Sequence, residues 1–101
     1  MTPEGRVKNK IKKVLDLYKG RLYYHMPVPN GYGASTLDYY GAFYGRAFAV
    51  EAKREGEEPT LRQSGIILSM QAARMMVFVV SDDESLERFA AWLKYVDSNR
   101  G

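Results

Sequence analysis

The stretch LDYYGAFYGRAFAVEAKREG, Leu37 to Gly56, decides how this chain is read. Two runs with strand character, Leu37 to Phe43 and Arg46 to Lys53, flank Tyr44-Gly45, which gives a β-hairpin with a short turn. The second run is apolar until it ends in Glu51-Ala52-Lys53. Side chains alternate across a strand, so Glu51 and Lys53 project from the same face at the end of a strand with an apolar body. Pairing through Tyr44-Gly45 sets residues whose numbers sum to about 89 opposite each other, which brings Asp38 against Glu51.

Two carboxylates brought together at a partly buried site repel unless something positive lies between them. Lys53 can serve. A divalent cation serves better, because Mg²⁺ favours a few carboxylates together with water and phosphate oxygens. Asp38 and Glu51 as ligands, with the backbone carbonyl of Ala52 beside them and Lys53 next to the ion, suit metal-assisted phosphodiester hydrolysis. An ordinary salt bridge at a strand end is the competing reading of the same residues.

Working outward, Thr2-Pro3-Glu4 opens a helix, with Thr as N-cap and Pro at the first position. Val7, Ile11, Val14, Leu15 and Tyr18 form its apolar stripe, with Arg6, Lys10 and Lys13 on the other side. Leu22 to Met26 reads as a short strand, and the segment from Pro27 to Ser35 as a loop rich in proline and glycine. A second helix begins at Thr60 and carries Ile66, Ile67, Met70 and Ala73 on one face. Met75 to Val80 reads as a buried strand, and a last helix runs from about Asp83 to Val96. The order α-β-β-β-α-β-α implies an α/β fold, a small mixed sheet flanked by helices, in one domain over residues 1–101.

Glu4 and Gln63 both lie near the inward stripes of their helices. Glu4 also complements a helix dipole, and Gln63 also closes a capping box with Thr60. Both are candidates for the site at the end of the hairpin.

The chain has 101 residues, a net charge of +3 and no cysteine, which excludes a disulfide framework or a thiolate metal site. No apolar run approaches the roughly 20 residues of a membrane span. A cytoplasmic setting without membrane attachment is expected. The first helix and its flank gather Arg6, Lys8, Lys10, Lys12, Lys13, Lys19 and Arg21, a distribution that fits a polyanion such as DNA or an ordinary solvated face. Lys8, Lys12, Arg46 and Arg62 are candidate phosphate contacts, and Tyr32 is the candidate for stacking on a base. His25 reads as a packing or surface residue, and Trp92 as core or interface.

Thr2-Pro3-Glu4-Gly5 on a basic helix, the loop before Leu37-Asp38, the run Gly45 to Lys53, Pro59-Thr60-Leu61-Arg62-Gln63 and Val77 to Val80 together resemble a stand-alone VRR-NUC domain. These are virus-type replication and repair nucleases of the PD-(D/E)XK superfamily. The resemblance covers about residues 2 to 82. It implies a restriction-endonuclease-like core and Mg²⁺- or Mn²⁺-dependent cleavage of DNA, with Glu4, Asp38, Glu51, Lys53 and Gln63 matching the family's motif residues. It also implies a homodimer and branched or junction DNA as substrate, in viral replication or repair. Leu37 stands where the family usually has Pro, and Arg74-Met75 where Gly-Gly is common. The rival readings are a nucleic-acid-binding module that cuts nothing, and an assembly protein in which the Asp-Glu-Lys cluster is only an ion-pair network.

Overall fold

The computed structural model describes residues 1–28 and 36–100. In chain order the elements are α1 (Pro3–Asp16), β1 (Leu22–His25), β2 (Tyr39–Phe43), β3 (Arg46–Ala52), α2 (Leu61–Ala72), β4 (Met76–Val80) and α3 (Asp83–Ser98). The four strands form one mixed sheet in the order β1-β2-β3-β4, with β3 and β4 parallel and the other pairs antiparallel. A mixed sheet flanked by helices is what the sequence implies.

The hairpin is fixed by its turn. Tyr44 and Gly45 have φ of 49° and 77°, the two positive angles of a two-residue turn whose twist matches its strands. Phe43 then faces Arg46 and Tyr39 faces Val50. Carried one residue further, that register sets Asp38, just before β2, level with Glu51.

The two faces of β3 have different tasks. Phe48, Val50 and Ala52 join Ile11 and Leu15 of α1 and Phe89, Leu93 and Val96 of α3 in the main core. Burying one such Phe or Leu stabilises the fold by about 2–3 kcal/mol. The rings of Phe48 and Phe78 pack against Phe89 and Trp92, with centroids 5.0 to 5.9 Å apart. Alternation turns Glu51 and Lys53 to the other face, where α2 lies.

That second face is thinly covered. Helix α2 begins with a capping box, in which the Gln63 N–H donates to Thr60 Oγ1 at 3.1 Å and Gln63 Oε1 accepts from the Thr60 N–H at 3.0 Å. Yet α2 buries no residue fully, and Leu61 and Leu68 are exposed. The expectation that Met75 to Val80 forms a buried strand is therefore corrected. As an edge strand β4 has a neighbour on one side only, and α2 covers it loosely, so only Val80 is buried.

The end of α2 has an unusual residue. The Met75 N–H donates to the Met70 carbonyl and the Arg74 N–H to the Gln71 carbonyl, both at 3.0 Å. This is a Schellman motif with Arg74 at its left-handed position, φ 70°. Glycine is the usual occupant, and a residue with a Cβ costs about 1 kcal/mol more there. Among the described residues, no helix is long and apolar enough to cross a membrane.

Candidate active site

The strand pair β3 and β4 ends at Ala52 and Val80, where the Lys53 N–H donates to the Val80 carbonyl at 2.9 Å. This end of the sheet gathers the charged groups. Asp38 Oδ2 accepts from the Ala52 N–H at 2.8 Å, so the strand end itself orients this carboxylate. The contact made by Ala52 to Asp38 is through its N–H, not through the carbonyl expected as a metal ligand. Lys8 Nζ lies 3.5 Å from Asp38 Oδ1. The Tyr39 hydroxyl donates to the Lys8 carbonyl at 3.1 Å and so pins α1 beside the start of β2.

Glu51 is only 3% exposed. Its Oε2 accepts from Gln63 Nε2 at 2.7 Å and stands 3.5 Å from Lys53 Nζ. Its Oε1 is buried with no hydrogen-bond donor. Burial first, and then the neighbouring Asp38 carboxylate, push the Glu51 carboxyl up to about 7, against the pull of Lys53 and Gln63. Lys53 is also buried, and beyond Glu51 it reaches Glu57 Oε1 at 3.8 Å.

Gln63 thus does two things at once. Its Oε1 closes the capping box while its Nε2 holds Glu51. Both contacts are possible because an amide has a donor end and an acceptor end.

The remaining candidates are dispersed. Glu4 lines a cleft of about 310 Å³ with Thr2, Pro3, Arg54 and Glu57, so it borders the site through the residue that pairs with Lys53. Lys8 has been drawn inward onto Asp38. Lys12 and Arg62 are exposed, on α1 and α2. Arg46 begins β3 and stands at the other end of the sheet, as does Tyr44 in the hairpin turn. Tyr32 lies outside the described residues. His25 is exposed on β1 and stacks on Tyr40, with centroids 6.0 Å apart. Two contacts escape sequence reading. Lys8 could have been found one helical turn after Glu4, on the same face. Glu57 sits in a loop and left no periodic signal.

The donor set fits a hard divalent cation. Among the described residues no group of three or more Asp, Glu or His side chains is placed to hold a metal ion, so a cation here would rely on Asp38 and Glu51. Mg²⁺ needs no more than that, since it keeps several waters and dehydrates reluctantly. The orphaned Oε1 of Glu51 and its contest with Asp38 are two local costs that a bound cation would offset. Searches against protein-family models, curated proteins and solved structures return no match for this chain, and the geometry alone carries the reading of this site.

Proposed function

We propose that this protein is a metal-dependent endodeoxyribonuclease with the core of the VRR-NUC group. The observation that carries the proposal is Glu51, a buried carboxylate with one oxygen unpaired, set beside Asp38 and within 3.5 Å of Lys53. A buried carboxylate oxygen without a donor is a local cost that a bound cation would offset.

Asp38 and Glu51 would hold Mg²⁺ or Mn²⁺, which when bound supplies Lewis acidity towards a phosphate oxygen and a water. The protein's own groups do the rest. The Ala52 N–H and Gln63 amide fix the two carboxylates, so little reorganisation is needed when the charge of the reaction develops. Lys53 is a buried cation that donates hydrogen bonds to the water or to the phosphate oxygen gaining negative charge. Lys8 balances Asp38 in the free protein and is free to turn to a DNA phosphate when the carboxylate gains another cation.

The edge strand β4 and the half-exposed apolar face of α2 support a second copy of the chain as a partner, a surface that two-fold symmetry would cover.

The test is cleavage of labelled four-way-junction, flap and linear duplex DNA with Mg²⁺, Mn²⁺ or EDTA, using the wild type, Asp38→Ala and Lys53→Ala. The expected outcome is metal-dependent cutting that both substitutions abolish while DNA binding remains. Binding without cutting under either metal would instead leave a non-catalytic nucleic-acid-binding module.

A further inference from the structure

At the opposite end of the sheet, the start of β3, the cap of α2 and the last turns of α3 enclose a cleft of about 620 Å³. Two arginines line it, Arg46 and Arg74, and no acidic side chain does. The parallel register begins with Phe48 opposite Met76, and Arg46 and Arg74 each lie two residues before that pair. Among the described residues neither guanidinium has a carboxylate partner. Arg46 Nη2 donates to the Asn99 carbonyl at 3.0 Å, whereas its Nη1 is buried with no acceptor.

The wall of the cleft is aromatic. Arg46 Cζ stands 5.9 Å from the centre of the Tyr95 ring, and Tyr95 is 59% exposed. Met76, 41% exposed, and Trp92 complete it. Arg74 supplies an independent observation. It occupies the left-handed cap position at φ 70°, where glycine would serve the fold better. Strain kept at a position open to an easy remedy points to a use for the side chain.

We propose that this cleft holds an unpaired nucleotide of a single DNA strand, its phosphate between Arg46 and Arg74 and its base against Tyr95. A phosphate at the mouth of the cleft accepts from the guanidinium groups that line it. A flat base covers the exposed ring and Met76, and stacking on aromatic side chains is the common means of holding unpaired bases. An acidic peptide matches the charge but leaves the aromatic wall bare. The choice of DNA as the polymer rests on the nuclease reading; the anion-and-ring chemistry of the cleft does not. Along β3 the cleft lies about 17 Å from Glu51, at roughly 3.3 Å per residue, so it grips the strand away from the cut.

The experiment measures fluorescence anisotropy of a labelled oligothymidylate in EDTA for the wild type, Arg74→Gly and Tyr95→Ala, with melting temperatures alongside. Arg74→Gly is expected to melt higher than wild type and yet bind about tenfold more weakly, and Tyr95→Ala to lose about tenfold in affinity. Unchanged affinity in both variants, or displacement of the oligonucleotide by oligoglutamate at equal concentration, overturns the proposal. Metal-dependent cleavage together with unchanged affinity discards the cleft and keeps the nuclease. Weakened binding in variants of a chain that cuts nothing in either metal discards the nuclease and keeps the cleft.

Discussion

A carboxylate shut away from water beside another carboxylate holds its proton more tightly in the folded chain than in the unfolded one. Glu51 is in that position, its carboxyl raised from about 4.5 to about 7. The folded state then binds more protons between those values, and its stability falls as pH rises through that window. The full loss above pH 7 is up to about 3 kcal/mol. In EDTA the melting temperature should therefore drop between pH 5 and pH 8, and Mg²⁺ should restore it most strongly at pH 8. Glu51→Gln should flatten the pH profile and abolish the Mg²⁺ response, as differential scanning fluorimetry would read. A Mg²⁺ response retained in that variant would remove Glu51 from the ligand set. The residue types at this site were legible, because acids and a lysine at the end of an apolar strand are costly without a purpose. Their pairings were not. Spacing puts Lys8 and Gln63 on the right helix faces, but which carboxylate each one meets depends on distances between elements.

Among the elements, the hairpin was the easiest to read and β4 the hardest. A short turn between two alternating runs fixes its own register, and Tyr39 opposite Val50 follows from Tyr44-Gly45 alone. A continuous apolar run such as Met75 to Val80 reads the same whether a strand is covered on both sides or lies at an edge. The cap of α2 was also illegible, since arginine is no marker of a left-handed residue. Within the hairpin, Gly41 has a specific duty. A Cβ there would meet the Tyr23 carbonyl oxygen of the neighbouring strand and come within 2.7 Å of the Phe48 ring. Neither the backbone nor a ring locked in the core can retreat, and forcing extra volume into such a site typically costs about 1–3 kcal/mol. Gly41→Ala should lower stability by at least that much in urea denaturation. A loss below about 0.5 kcal/mol would mean that Phe48 can repack.

For the whole molecule, covering is uneven. One face of the sheet is sealed by α1 and α3, with Ile11, Phe48, Phe89 and Leu93 inaccessible, while the other carries a helix with no fully buried side chain. The mixed α/β layout was legible from the succession of periodicities, but this imbalance was not, because the stripe Ile66, Ile67 and Met70 looks as apolar as the stripes that are buried. If a second copy covers it, the wild type sediments as a dimer, and Leu68→Glu, at a position 68% exposed, should give a folded monomer. A wild type that is monomeric at micromolar concentration would rule out this partner.

The 2.7 Å bond from Gln63 to Glu51 then takes on a mechanical meaning. It joins the least anchored helix of the molecule to its most confined carboxylate. A rigid-body shift of α2 of even an ångström stretches that bond and leaves the second oxygen of Glu51 to Lys53 alone. Whatever comes to rest on the outer surface of α2 would act as a lever on the Glu51 carboxylate beneath it, with the amide of Gln63 as its fulcrum.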